Sequence, residues 1–332
     1  MNKPPIFIVG CPRSGTTLLR NLLRSFPNIS FPRESHIFPK LYKAFGDPKN
    51  EKEAVQMGQK ILNYYRIKAW ELELNPEDFS KCRSYAEIIS LLFENWLEKD
   101  GNATRWGDKT PQYILEIPTL VKLFPDCKII HIYRNGRDVA LSWISLPFGP
   151  ENIFCAALAW RHYVKTGLKH ASILKPETYL EVQYESLLTN SKTIMKKVSD
   201  FLDEPFDETQ LKPTKISPSS RPENYSGFKY SQSNEFKHSQ QNEIVKTNFN
   251  KWKSEMSDAD LILFESVAGD TLKILGYTTL GNKKNITIIE KSYWLSHHLL
   301  KYTYKQLKRG SKSSWLPGLV TSLGANIRSH FR

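Results

Sequence analysis

Val9-Gly10-Cys11-Pro12-Arg13-Ser14-Gly15-Thr16-Thr17-Leu18-Leu19 joins two patterns that belong to different secondary structures. Ahead of it, Pro5-Ile6-Phe7-Ile8-Val9-Gly10 is a short apolar run ending on glycine, as a buried parallel strand does. Behind it, Leu18, Leu19, Leu22, Leu23 and Phe26 recur at helical spacing until Pro27-Asn28 stops them. Strand, glycine turn and helix together predict the opening of a doubly wound sheet. Such a turn aims backbone N–H groups and the positive end of a helix dipole at one point, where phosphate or sulfate oxygens fit. Gly15 supplies conformational freedom, Ser14, Thr16 and Thr17 supply hydroxyl donors, and Arg13 supplies a fixed charge with bidentate donors. The segment departs from the Walker A pattern, in which glycine is followed by lysine and a hydroxyl residue. Here the basic residue precedes the glycine.

The same grammar recurs downstream. Lys128-Ile129-Ile130-His131-Ile132-Tyr133 reads as a second buried strand, with His131 a core histidine, followed by the polar turn Arg134–Asp138 and the helical Val139-Ala140-Leu141. Thr178 to Tyr184 alternates like a strand, and a helix runs on through Leu187 to Leu202. Residues 51–99 are polar and helix-favouring, an inserted helical region packed through Tyr64, Tyr65, Trp70, Leu92, Phe93 and Trp96. Residues 212–242, rich in Ser, Pro, Asn and Gln, read as a long surface loop, and a helix follows from Asp258 to Leu275. The expected fold is α/β: a P-loop-like, doubly wound parallel sheet flanked by helices.

Composition narrows the class. In 332 residues, 40 % apolar and 24 % charged, the balance is that of a soluble globular protein. Cys11, Cys82, Cys127 and Cys155 are scattered, which argues against a zinc site or a disulfide scaffold and fits a reducing compartment. Met1 to Pro5 leads straight into the first strand, so no signal peptide is expected. No apolar run approaches the ~18–20 residues that span a bilayer, and the expected location is cytoplasmic. The net charge is +13, but residues 281–332 hold ten Lys or Arg against one acidic residue, a net of +9. The other 280 residues carry 37 basic and 33 acidic residues, a net of +4. That mildly basic body suits an anionic substrate; no nucleic-acid partner is expected.

Pro12-Arg13-Ser14-Gly15-Thr16-Thr17 resembles the 5′-phosphosulfate-binding loop of sulfotransferases that use PAPS (3′-phosphoadenylyl sulfate), in the Pro-Arg-Ser-Gly-Thr form of the bacterial and Golgi-type branches. The resemblance implies PAPS as donor, PAP as product, and no required metal. It also implies a second motif, in which an Arg closing a strand and a Ser on the next helix grip the donor's 3′-phosphate. Arg134 and Ser142 stand at that spacing, and such a pair can converge on one phosphate beside a helix N-terminus. Arg137 is either a further contact or a partner of Asp138. Val182-Gln183-Tyr184-Glu185-Ser186-Leu187 is similar to the family's Tyr-Glu-x-Leu segment, whose tyrosine lies against adenine; a packed core tyrosine is the alternative for Tyr184. Lys251, in Lys251-Trp252-Lys253, resembles the basic residue that closes over the donor. The likeness spans residues 5–278, a sulfotransferase domain of 1–278 followed by an extension of 279–332.

Sulfuryl transfer is an in-line displacement in which positioning and charge stabilisation do most of the work. Glu34 is the candidate base, because it resembles the glutamate of a Glu-x-x-x-x-Pro segment and Pro39 keeps that spacing. His36 is the rival base, and an ion pair with Arg33 is the structural alternative. Arg13 and Lys109 are the electrophilic pair; Trp106-Gly107-Asp108-Lys109-Thr110-Pro111 matches a segment of bacterial members, with a Lys109–Asp108 pair as the alternative.

Two other functions remain open: a P-loop kinase or NTPase, which needs a lysine after the glycine and a magnesium-binding acid, and a catalytically inactive nucleotide-binding relative. The acceptor is expected to be a glycan or glycolipid, with small metabolites and peptide tyrosine as alternatives. In the tail, Trp294, Leu295, Leu299, Leu300 and Tyr304 intersperse with Lys301, Lys305 and Lys308, and Leu316, Leu319, Val320, Leu323 and Ile327 follow at helical spacing. Basic amphipathic helices of this kind pack on their own domain, dock on partners, or lie peripherally on anionic membranes. Nothing in the sequence signals an oligomeric state.

Overall fold

The computed structural model describes residues 3–101, 103–146, 149–213, 244–281 and 284–308, without the side chains of 39, 40 and 304–308. Most of the predicted surface loop and the second tail stretch, from Leu316 to Ile327, lie outside the described residues. In chain order the elements are β1 (Ile6–Gly10), α1 (Thr16–Leu23), β2 (Ile29–Ser30), α2 (Phe38–Phe45), α3 (Glu51–Leu62), α4 (Tyr65–Lys68), α5 (Tyr85–Lys99), β3 (Arg105–Lys109), α6 (Ile117–Leu123), β4 (Lys128–Tyr133), α7 (Gly136–Ile144) and α8 (Ile153–Ala171). They continue with β5 (Tyr179–Gln183), α9 (Tyr184–Thr189), α10 (Ser191–Leu202), α11 (Trp252–Glu255), α12 (Asp258–Ile274) and α13 (Ile288–Lys308). The chain divides into two compact units, Met1–Arg134 with Tyr163–Phe249, and Asn135–His162 with Asn250–Arg332.

The first unit holds a five-stranded sheet in the order β2-β3-β1-β4-β5, and every pairing in it is parallel. Alternation along β1 sends Ile6 and Ile8 to one face, where they join Ile130, Ile132, Leu19, Leu22, Met195 and Val198 in one core cluster. Phe7 goes to the other face and meets Phe38, Trp106 and Phe124 with ring centroids 5.4–5.9 Å apart. Both faces of β1 are therefore dry, which is why its sequence is apolar without a break.

β3 is a strand that periodicity could not reveal. All five of its residues are buried although three are charged. Arg105 donates to the carbonyls of Pro4 at 2.7 Å and Leu202 at 2.6 Å and to Glu204 at 3.2 Å, leaving its Nη2 buried without a partner. The segment 51–99 is helical as expected, with Asn50 and Ser84 accepting from the Glu53 and Glu87 amides at the starts of α3 and α5. Trp70, Leu92, Phe93 and Trp96 are buried there, whereas Tyr65 is 50 % exposed. Tyr64 is only half-buried. These two tyrosines open the one-turn α4, whose one buried residue is Ile67. Tyr184 does not close β5; it starts α9, because pairing with β4 ends at Gln183.

In the second unit, Asn135 caps α7 by accepting from the Arg137 amide at 3.1 Å. Arg137 is buried in this unit. Its guanidinium bonds Glu265 at 2.8 Å and the Thr278 carbonyl at 2.9 Å, and it lies 3.6 Å over the Trp252 ring. Asp138 instead accepts from the Asn250 and Trp252 amides. α13 also belongs to this unit, tied by Asn152 Nδ2 donating to the Trp294 carbonyl at 2.9 Å and the Glu151 amide donating to His298 at 3.2 Å.

Candidate active site

Three loops leave the carboxyl edge of adjacent parallel strands in the first unit: Cys11–Gly15 after β1, Thr110 onward after β3, and Arg134 after β4. That edge, where strand order reverses around β1, is where open α/β sheets bind ligands. Gly15 sits at φ 91° before the first turn of α1, and a Cβ there would collide with the Tyr184 ring. Arg13 also takes a left-handed conformation, φ 74°. The first-turn N–H groups of α1 have no carbonyl ahead of them. Ser14 is fully buried, and its hydroxyl oxygen has no hydrogen-bond partner in the protein. A buried, unpartnered hydroxyl inside an anion nest fits an oxyanion ligand.

One side of this loop is braced by a stack. Arg134, 3 % exposed, donates to the Arg13 carbonyl at 3.4 Å and to the Asn248 carbonyl at 3.1 Å. Its guanidinium lies 4.6 Å over the Tyr184 ring, and Asn248 Nδ2 donates to the Tyr184 hydroxyl at 2.9 Å. Tyr184 is thus a buried ring between Gly15 and Arg134. Nothing in the sequence pointed to Asn248.

On the other side of the loop, the candidate base and one of the two candidate cations meet. Lys109 Nζ donates to Glu34 Oε1 and lies 3.4 Å from Thr17 Oγ1. The second oxygen of Glu34 is 2.8 Å from His36 Nε2. Lys109 is nearly buried, at 4 % side-chain exposure, whereas Glu34 and His36 keep 29 % and 21 %. Burial raises the proton affinity of Glu34, but Lys109 and the His36 hydrogen bond outweigh it and hold the carboxyl well below the usual range. Burial pushes His36 below its ordinary value, with Glu34 opposing. It likewise lowers Lys109, again opposed by Glu34. Partial burial lowers the half-buried Arg20 to about 10, with the Glu34 charge opposing.

Adjacent strand residues point to opposite faces, so Lys109 and Asp108 do not pair. Asp108 accepts from Ser35 Oγ and from Thr110 Oγ1, the latter at 2.9 Å. Ser35 Oγ is 2.9 Å from the Tyr113 hydroxyl, which accepts from the Phe38 amide at 3.1 Å. This network fixes the backbone between Glu34 and His36, and burial raises the Asp108 carboxyl to about 7. Nothing in the sequence pointed to Ser35, and Asp108 stood out there only as the alternative partner of Lys109.

Ser142, 7 % exposed on α7, and Lys251, at the start of α11, lie in the second unit. Among the described residues, no group of three or more His, Cys, Asp or Glu is placed to hold a metal ion.

The profile of the sulfotransferase family matches residues 4–208, and the chain belongs to that family. It is 25 % identical over 214 residues to the protein-tyrosine sulfotransferase of Drosophila melanogaster, covering 63 % of this chain and 40 % of the fly protein. It is 26 % identical over 214 residues to protein-tyrosine sulfotransferase A of Caenorhabditis elegans, covering 63 % of this chain and 52 % of the worm protein. The aligned stretch is thus about half of these curated relatives' length or less. The sulfotransferase domain of the Synechococcus PCC 7002 olefin synthase superposes with a TM-score of 0.53 and 24 % identity, covering 80 % of this chain and 95 % of that one, so the two share a fold.

Proposed function

We propose that the protein transfers a sulfuryl group from PAPS to an acceptor hydroxyl and releases PAP. The observation that carries this reading is the Glu34–Lys109 pair, set 3.4 Å from Thr17 of the anion loop. A base and a cation beside an oxyanion nest are the parts an in-line displacement needs. The acceptor oxygen bonds to sulfur as the bond from sulfur to the bridging oxygen of the phosphosulfate breaks. The acceptor proton passes to Glu34, and the charge developing on the leaving phosphate is met by Arg13 and Lys109. Ser14, Gly15, Thr16 and Thr17 hold the 5′ end of the donor, and Arg134, held in place by Tyr184 and Asn248, faces its 3′-phosphate. The resemblance assigns further donor contacts to Ser142 and Lys251, which Ser142→Ala and Lys251→Ala test separately by donor affinity.

A carbohydrate or glycolipid hydroxyl is the acceptor we favour. The similarity to protein-tyrosine sulfotransferases supports a second reading, the phenol of a peptide tyrosine. Incubation with sulfur-labelled PAPS and a panel of glycans, glycolipids, phenols and tyrosyl peptides tests both. Label is expected on one hydroxyl class, with transfer by Glu34→Gln slowed about 10²–10⁴-fold. Magnesium-dependent ATP turnover without PAPS binding would replace the reading with that of a P-loop NTPase. PAP binding without transfer to any acceptor would make the protein an inactive relative.

A further inference from the structure

Asn248 presents three polar groups to the donor end of the first unit, and two of them are satisfied. Its backbone is fixed by a turn in which its amide donates to the Val245 carbonyl at 3.1 Å. Ile244 and Phe249, on either side, pack on the same core cluster as Tyr184. From that position the Asn248 main-chain carbonyl accepts from Arg134 Nη2 at 3.1 Å, and its side-chain Nδ2 donates to the Tyr184 hydroxyl at 2.9 Å. The side-chain oxygen, Oδ1, is shut off from solvent and has no hydrogen-bond partner among the described residues. Bracing Arg134 and Tyr184 uses the carbonyl and Nδ2 and leaves Oδ1 idle. A buried amide oxygen without a donor is costly to the fold, so such an atom calls for a ligand or an ordered water.

The chemistry of the atom limits what can reach it. Oδ1 accepts hydrogen bonds and donates none, so ionised phosphate and phosphosulfate oxygens repel it. The nucleotide proposed as donor carries two neutral hydrogen-bond donors, the 2′-hydroxyl of the ribose and the 6-amino group of the adenine. Its other polar atoms are acceptors. We propose that Asn248 reads the nucleoside half of the donor, with Oδ1 accepting a hydrogen bond from one of these two groups. The 2′-hydroxyl is the expected partner, because it is vicinal to the 3′-phosphate assigned to Arg134, and Arg134 is bonded to the Asn248 main chain. The inference rests on PAPS being the donor. It adds a selectivity that the phosphate contacts lack, since a site built to pair a hydroxyl or amine rejects the analogue that leaves its buried acceptor unpaired.

The test is titration calorimetry of the full chain with three nucleotides: PAP, its 2′-deoxy analogue, and its inosine analogue, in which a carbonyl replaces the 6-amino group. Each is titrated into wild type and Asn248→Ala. Wild type should bind the 2′-deoxy analogue about five- to tenfold more weakly than PAP, whereas the variant should bind the two alike. If the inosine analogue is instead the one that wild type penalises and the variant does not, the proposal stands with the 6-amino group as the partner. An Asn248→Ala protein that loses affinity for all three nucleotides by the same factor would overturn it, leaving Asn248 a brace for Arg134 and Tyr184. So would a wild type that binds all three alike, as expected if a water satisfies Oδ1; that comparison needs no variant to fold. A wild type that binds none of the three would refute the donor reading itself, and this inference with it.

Discussion

In the role proposed for it, Glu34 meets two opposing demands: a base must be ionised before it accepts a proton, and it must be within reach of the acceptor. Lys109 and His36 keep it ionised, one oxygen each, while its partial exposure leaves it reachable. Glu34→Gln keeps the shape and removes the proton acceptor, so the transfer rate should fall about 10²–10⁴-fold with PAP affinity little changed, by labelled-donor assay and calorimetry. An unchanged rate would move the base elsewhere. The pH profile separates Glu34 from His36. Because Glu34 is held well below the usual carboxyl range, kcat/KM should show no acidic limb between about pH 5 and 8. His36, itself lowered by burial, would as base give a rate that falls as pH drops through a value somewhat under the usual ~6.5.

The elements differ in how openly their sequences declare them. β1, β4 and the loops behind them are legible because strands buried on both faces need unbroken apolar runs, and the turns they feed must be polar. β3 is hidden because Arg105, Asp108 and Lys109 reach partners distant in sequence. Glu204 is 99 residues from Arg105, and Glu34 is 75 from Lys109. The two motifs containing Glu34 and Lys109 could be read singly; their meeting beside Thr17 depends on β3 lying between β2 and β1, which no local pattern encodes. Asp108 is the clearest case, a carboxyl within a strand that supports Ser35 from below. Its folded proton affinity is raised to about 7 by burial, so its contribution to stability is fully present below the unfolded value, near 4, and is lost as pH rises towards 7. Relative to Asp108→Asn, the wild type should therefore lose about 2–4 kcal/mol between those pH values, read from denaturant midpoints. A stability difference independent of pH would contradict this.

At the scale of the whole molecule, chain order and compact units do not coincide, since the division at Arg134–Asn135 cuts through the second donor motif. In the second unit the buried Arg137–Glu265 pair, 1 % and 3 % exposed, anchors α7 to α12. Glu265→Ala leaves the guanidinium without its carboxylate and should cost about 3–5 kcal/mol by thermal or denaturant melting. A loss under about 1 kcal/mol would mean the Thr278 carbonyl and Trp252 ring suffice. The central claim, that the Cys11–Gly15 loop and Arg134 hold a nucleotide with phosphate at both ends, is independent of the acceptor. Titration calorimetry with PAP tests it most directly, on the wild type, Arg13→Ala and Arg134→Ala, with magnesium ATP as the competing ligand. PAP is expected to bind one site, at least about tenfold more weakly in each variant, and magnesium ATP should not displace it. Absence of PAP binding, or preference for magnesium ATP, would contradict the claim.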